Sequence, residues 1–334
     1  MTQPNTVDMT FDTSLVDLGP NNSRNDCPPT LNASFSTTES DPSDIGLPAS
    51  SSTQATQHSQ ETPTLKGTPF PSPKASTPVQ HLPTQDAYDA WASVYDTDGN
   101  MLQSTDDLEL ETLLPELVSV VLQSTSQRTL NLLDLGCGTG RNTAKLLRYP
   151  WPQGLAINIT ALDFSKGMLE IAATKLTPLL TIPNLRLRLE QCDCFPTNSN
   201  PTASPFPAVN DLHPVNALIS TLVLEHVTLP SYFATLSTLV APGGYALVTN
   251  MHSEMGRISQ AGFINEQGVK VRGTSFAHTP EETVEQALKA GFEVVQVKER
   301  AMEKEDVESG RVGARGLKWV GVNVWYGVLL QKLQ

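Results

Sequence analysis

LLDLGCGTGRNT, residues 132–143, sets an apolar run directly ahead of three glycines, Gly136, Gly138 and Gly140, spaced two and two. Glycines at the end of a strand let the backbone itself approach a ligand, with no side chain in between. A dinucleotide loop needs the spacing GxGxxG, so that a helix start offers its amides to a pyrophosphate. Here the third glycine arrives one residue early and Arg141 follows it, which weakens a nicotinamide-dependent oxidoreductase reading. No GxxxxGK[ST] phosphate loop is present.

Outward from this stretch, short apolar runs alternate with helical patterns. TLNLLDL (129–135), LAINITALD (155–163), LRLRLEQ (185–191), VNALISTLVL (215–224) and GYALVTNM (244–251) read as strands. RNTAKLLRY (141–149), SKGMLEIAATKL (165–176) and SYFATLSTLVA (231–241) read as the helices between them. PEETVEQALKAGF then precedes two further strands, FEVVQVKER and WVGVNVWYGVLLQ, which have no helix between them. Such alternation predicts an α/β fold, a seven-stranded mostly parallel sheet covered on both faces, with an antiparallel final strand. In an open sheet of this kind the ligand lies at the carboxyl ends of the strands, where the strand order reverses.

The chain has 334 residues and a net charge of -13, so no basic field recruits nucleic acid or an anionic membrane. No apolar run is long enough to span a bilayer and Thr2 onward is polar, so the expectation is a soluble, cytoplasmic protein. Residues 1–84 hold 38 Ser, Thr or Pro, no Trp or Tyr and three basic residues, and read as a disordered tail whose TPFPSPKASTP stretch could be phosphorylated or dock a protein partner. Order is expected near Asp86: residues 85–128 form a helical cap, with one helix through Ala87, Trp91 and Tyr95 and a second over Leu108–Val121, and 129–334 form the ligand-binding domain. Asp106 and Asp107 are placed at a solvated turn or helix edge, and no metal site is visible in the chain. The four cysteines form no CxxC pair and read as free thiols; Cys192 and Cys194 are assigned to one strand face, where they do not reach each other.

DLGCGTG, with Asp134 ahead of the glycines, resembles the first motif of the class I S-adenosylmethionine-dependent methyltransferases. The resemblance extends over about residues 86–331 and includes ALDFSKGMLE, EQCDCFP, ISTLVLEHV and APGGYALVTN. It implies a Rossmann-like fold and S-adenosylmethionine as cofactor, held by Asp134, Gly136, Gly138, Gly140, Asp163, Asp193 and Cys194. Asp163 would take both ribose hydroxyls, Asp193 the adenine amino group and the Cys194 N–H the ring, and a carboxylate can accept both bonds of a vicinal diol. The sequence departs from the family's pattern after Asp193, in the polar insertion TNSNPTASPFPAVND, and at Asn216, where many relatives carry an aspartate.

Methyl transfer from a sulfonium is an in-line displacement, so the protein chiefly aligns donor and acceptor, and a base is useful only for an acceptor that must lose a proton. His226, in LEHV, is the candidate acid or base. Tyr88, Trp91 and Tyr95, in YDAWASVYD, and His252 and His278 are candidate substrate contacts, the aromatics through stacking or cation contacts. Residues 252–279 read as a hairpin insertion that lids the site. YDTDGNMLQ, GTSFAHTPEETVEQALKAGFEV and KWVGVNVWYGVLL further resemble methyltransferases of filamentous fungi, some acting in secondary metabolism. The expected activity is methylation of an oxygen or nitrogen on a small metabolite, in the narrowest form an alkaloid hydroxyl; the alternative is a S-adenosylmethionine-binding regulator or protein methyltransferase that works through partners.

Overall fold

The structure, a computed structural model, describes residues 38–39, 79–181, 183–195, 204–260, 262–265 and 267–334. Apart from 38–39 and 79–84, the segment expected to be a disordered tail lies outside the described residues, as does most of the polar insertion after Asp193.

The glycine-terminated run forms β1 (Thr129–Leu135), the inner strand on which the sheet is built. Its side chains alternate between two apolar layers: Leu130 and Leu132 face one, Leu133 and Leu135 the other. The remaining strands are β2 (Ala156–Asp163), β3 (Leu185–Gln191), β4 (Val215–Thr221), β5 (Val240–Met251), β6 (Phe292–Ala301) and β7 (Asn323–Lys332). Among the described residues they make one seven-stranded sheet in the order β3-β2-β1-β4-β5-β7-β6. Pairing is parallel from β3 to β5, while β7 runs antiparallel to both β5 and β6. The final strand is therefore the inverted one, slotted between two strands that run the other way. The order reverses on either side of β1, between β2 and β4, which opens the crevice at their carboxyl ends.

Helices α1 (Thr84–Trp91), α2 (Met101–Ser124), α3 (Arg141–Arg148) and α4 (Lys166–Leu176) precede or connect the first three strands. Residues of α2, α3 and α4 fill the layer under Leu130 and Leu132, while α5 (Leu229–Leu239) and α7 (Pro280–Lys289) fill the opposite one with Tyr232, Phe233, Leu236 and Ala287. Two short helices, α6 (Ser253–Ile258) and α8 (Lys304–Glu308), lie after β5 and β6.

Three expectations change at the amino-terminal side. Residues 79–84 belong to the folded part: Val79–His81 pairs parallel with Lys270–Arg272, which pairs antiparallel with Gly262–Ile264. The predicted hairpin insertion is thus the core of a three-stranded lid that takes its outer strand from ahead of the cap. Helix α2 starts seven residues before the predicted Leu108, because the Asn100 side chain accepts from the Leu102 N–H and caps it. The first cap helix ends at Trp91, so Val94 and Tyr95 sit in the turns that follow it.

Asp106 is a correction. It lies inside α2, fully buried, where its Oδ1 accepts from Thr249 (2.6 Å) and Trp325 Nε1 (2.9 Å) and its Oδ2 from Arg141 (2.6 Å) and Asn142 (3.3 Å). A carboxylate at an i,i+4 face of this helix meets β5, β7 and α3 at once, so it pins the cap helix to the sheet rather than facing water. Asp107, half exposed, pairs with Arg141 and Lys145 on α3. The cysteine pair also differs: β3 ends at Gln191, so Cys192 and Cys194 lie in the loop beyond it, and the Cys194 thiol beside Cys192 holds the latter's pKa down to about 7.

Candidate functional site

The chain leaves β1 through Gly136, Gly138 and Gly140 at φ of 76°, 53° and 78°, the left-handed region that favours glycine. A Cβ at Gly136 would stand 2.4 Å from Val223 Cγ2, and one at Gly140 2.8 Å from Leu176 Cδ1, whereas one at Gly138 would meet nothing within 4 Å. Gly136 and Gly140 therefore let the loop close against α4 and the segment after β4, while Gly138 faces open space at the crevice.

Two carboxylates flank this loop. Asp134, 1% exposed, accepts from the Thr143 hydroxyl through Oδ2 at 2.5 Å, and its Oδ1 has no partner. Burial pushes its pKa up to about 7, against the pull of Thr143 and Arg141. Asp163, the last residue of β2, accepts from the Gly138 N–H and the Ser165 N–H, each at 2.8 Å, and burial raises its pKa to about 6. Each oxygen of Asp163 keeps a second lone pair, so the group that braces the loop can also receive hydroxyls. The unpartnered buried oxygen of Asp134, the open face at Gly138 and the free lone pairs of Asp163 fit an ammonium, a close-approaching carboxylate chain and a diol. Those are the polar features of S-adenosylmethionine. Asp193 is exposed in the loop after β3, and Cys194, buried there, takes the Thr235 hydroxyl on its carbonyl at 3.0 Å. The Cys192 N–H donates to the Asp163 carbonyl, which ties this loop to the end of β2.

The cap closes over the same strand ends through polar contacts that the aromatic pattern alone did not foreshadow. Asp89 accepts from the Ser165 hydroxyl (2.5 Å) and the Gly167 N–H (3.0 Å), at the amino terminus of α4 where a negative charge is favoured. Asp96 accepts from Thr139 of the glycine loop at 2.6 Å and pairs with Lys175 at 2.5 Å. Both aspartates lie in the motif YDAWASVYD, where attention falls on the rings between them.

Beneath the cap, about 540 Å³ of empty space, part of it open to solvent, is lined by Tyr88, Trp91, Tyr95, Asn100, Met101, Leu102, Leu222, Glu225, Met251, Gly262 and Arg315. Tyr88, Trp91 and Tyr95 come together as expected: ring centroids are 5.7 Å apart for Tyr88–Trp91, 5.9 Å for Tyr88–Tyr95 and 5.0 Å for Trp91–Tyr95. Trp91 also stacks on Phe263 of the lid at 5.5 Å, and its indole N–H donates to the buried Asp98. Leu222, just past β4, holds φ at 57°, a strained value for a leucine that turns the chain into the cavity wall.

His226 has both ring nitrogens engaged. Nδ1 lies 2.7 Å from the Thr274 carbonyl and Nε2 2.7 Å from the Tyr88 hydroxyl. A carbonyl only accepts, so Nδ1 carries a proton, and in the neutral ring Nε2 accepts from Tyr88. This histidine joins the cap, the turn after β4 and the lid. The other two histidines lie elsewhere. His252 caps α6, accepting the Glu254 N–H on Nδ1, and its Nε2 meets Glu299 at 3.0 Å. His278 donates from Nε2 to the Val227 carbonyl, stacks on Phe276 at 5.4 Å, and has its pKa lowered by burial. Neither is among the residues lining the cavity, because each is spent on fixing a connection beneath it.

Glu225 is the cavity residue the sequence reading passed over. It stands beside His226 in the same LEHV, is 3% exposed, and its Oε2 has no partner. Among the described residues no group of His, Cys, Asp and Glu could hold a metal ion, and no helix is long and apolar enough to cross a membrane.

Comparison with known proteins places these features in context. The profile of a family described as a methyltransferase domain matches residues 107–297. The chain is 40% identical over 268 residues to an uncharacterized methyltransferase of Emericella nidulans, covering 75% of this chain and 91% of that one. Among solved structures, an S-adenosylmethionine-dependent methyltransferase from Mesorhizobium loti aligns at 17% identity and a TM-score of 0.42, over 64% of this chain and 96% of that chain. A structure described as a sarcosine dimethylglycine methyltransferase from Galdieria sulphuraria aligns at 15% identity and a TM-score of 0.45, over 69% and 86% of the two chains.

Proposed function

This chain belongs to the S-adenosylmethionine-dependent methyltransferases, and we propose that it methylates an oxygen or nitrogen of a small metabolite, in secondary metabolism, with an alkaloid as the narrow form of the substrate. The observation that carries the reading is the partly open cavity lined from α1, the start of α2, the turn after β4 and Gly262. Three aromatic rings and a buried carboxylate in one concave site make the lining of a small-molecule pocket.

The cofactor supplies an electrophilic methyl on a sulfonium; the chain supplies position and dryness. Asp134 Oδ1 would receive the cofactor's ammonium, Asp163 the hydroxyls of its diol, and the loop of Asp193 and Cys194 its adenine edge. The cap and the lid, joined by the Trp91–Phe263 stack and by Tyr88–His226–Thr274, keep water from the reacting atoms. Tyr88 faces the cavity, and burial raises its pKa, so the phenol stays protonated and its hydrogen bond points to Nε2. A proton leaving the acceptor can pass to the Tyr88 oxygen as the Tyr88 proton moves to His226 Nε2, leaving an imidazolium whose Nδ1–H stays on the Thr274 carbonyl.

The test is release of S-adenosylhomocysteine by the full chain given S-adenosylmethionine and deproteinised extract of the cells that make it. Release that needs the small-molecule fraction, and that Asp163→Ala abolishes, supports the reading. Release that needs the protein fraction instead overturns it.

A further inference from the structure

We infer that the acceptor molecule carries a protonated amine, seated on the Glu225 carboxylate among the rings of Tyr88, Trp91 and Tyr95. This rests on the small-molecule methyl-transfer reading and names the substrate class for the same site.

Four observations converge on Glu225. It is 3% exposed, yet it is among the residues that line the cavity. Its Oε2 has no hydrogen-bond partner, a costly arrangement for a buried carboxylate unless a ligand brings the donor. His226, beside it in the chain, does not satisfy it: Nε2 is 3.7 Å from Glu225 Oε1, outside hydrogen-bond length, and is engaged by Tyr88 at 2.7 Å. Finally, three aromatic rings whose centroids lie 5.0–5.9 Å apart wall the same cavity, and ring faces attract a cation.

The other charges on the cavity wall leave this preference standing. Burial raises the Asp98 pKa to about 6 and lowers that of Arg315, and the charge of each opposes the shift of the other. Asp98 is in addition held by the Trp91 and Asn100 N–H groups. Glu225 is raised in pKa by burial, with His226 the opposing influence, so an incoming cation is the group that would restore its charged form. A neutral hydroxyl would satisfy the orphaned oxygen but would gain nothing from the rings as a charge acceptor. An alkyl- or arylammonium gains from both.

The probes are benzylammonium and benzyl alcohol, of similar shape but different charge, titrated calorimetrically into the full chain with and without S-adenosylhomocysteine. The expected result is at least tenfold tighter binding of the cation. Glu225→Gln should then weaken the cation at least tenfold and leave benzyl alcohol and S-adenosylhomocysteine unchanged. Equal affinity for the two probes, or a cation indifferent to Glu225→Gln, overturns the inference. So does a Glu225→Gln variant that loses S-adenosylmethionine but keeps S-adenosylhomocysteine, because the cage would then serve the sulfonium. Should that variant fail to fold, the comparison of the two probes on the natural chain decides alone. Label transfer to protein with cation preference intact would fell the small-molecule reading only; small-molecule methylation with equal probe affinities would fell this inference only.

Discussion

Replacing Asp134 by Asn should stabilise the protein without cofactor and at the same time weaken cofactor binding. The group is 1% exposed and its pKa rises from an ordinary 3.8 to about 7, with burial as the largest cause. Between these two values the folded chain keeps a proton that the unfolded chain has lost, so this group makes stability fall as pH rises from about 4 to 7 and adds no further change above. At roughly 1.4 kcal/mol per pH unit, the ionised carboxylate costs the folded state on the order of 4 kcal/mol at pH 8. Asp163 raises the pKa as well, so part of that cost is shared between the two carboxyls, and a gain of about 2–4 kcal/mol is the working figure for the Asn variant. The Thr143 hydroxyl, 2.5 Å from Oδ2, can still donate to an amide oxygen. For a chain of this size each kcal/mol moves the melting temperature by roughly 2–4 °C. In melting curves Asp134→Asn should therefore gain at both pH 5 and pH 8, and by more at pH 8, the difference being about 2–3 kcal/mol for the two pH units between 5 and 7. Calorimetry at pH 8 should show S-adenosylmethionine binding weakened by about 10–100-fold, the loss of one charged hydrogen bond of roughly 1.5–3 kcal/mol. An Asn variant less stable at pH 8, or one that binds the cofactor as tightly as before, refutes the role given to the unpartnered oxygen.

Asp163→Ala should lose measurable S-adenosylhomocysteine binding by calorimetry, since it removes both the diol acceptor and the brace on the Gly138 N–H; unchanged affinity would dismiss the assignment. Gly136→Ala should destabilise by at least about 1–2 kcal/mol in urea melts from its φ of 76° alone. Pairing it with Val223→Ala should recover the part due to the 2.4 Å clash, and no recovery would mean that the loop moves instead. Asp106→Asn should cost about 3–5 kcal/mol, because Arg141 keeps its charge beside a lost buried partner; a melting temperature within two degrees of the natural chain, roughly 1 kcal/mol, would show that Asp107 compensates.

Most strands were legible as short apolar runs bounded by turn signals, and their parallel sense follows from the helical patterns between them, but β4 stops at Thr221 where the chain turns at Leu222, β5 begins at Val240 inside the expected helix, and β7 begins at Asn323, four residues after the expected start. TLNLLDL is β1 in full, and FEVVQVKER falls one residue short of β6. What the sequence conceals is the partner of a polar residue. Asp106 sits two residues from Leu108 in a stretch that looks solvated, yet Arg141, Asn142, Thr249 and Trp325, from 35 to 219 positions away, meet on it. LEHV drew attention to histidine because histidine titrates near neutrality, while the residue left unpartnered in the cavity is the glutamate before it. Tyr88, Trp91 and Tyr95 line one cavity although the helix ends at Trp91 and Tyr95 lies in the turns after it, and nothing in the sequence signalled that Asp89 and Asp96 fasten the cap to α4 and the glycine loop. His252 and His278 lie near strand ends as expected, and only their hydrogen-bond partners show that they fix connections.

The central claim is methyl transfer to a small molecule, and the most direct measurement follows the methyl itself. The full chain is given S-adenosylmethionine with a carbon-13 methyl, together with the metabolite fraction of its own cells, and the products are resolved by mass spectrometry. The account expects one small-molecule peak heavier by a labelled methyl, its fragments placing the label on oxygen or nitrogen. Label found in protein alone, with the metabolites unchanged, would contradict it.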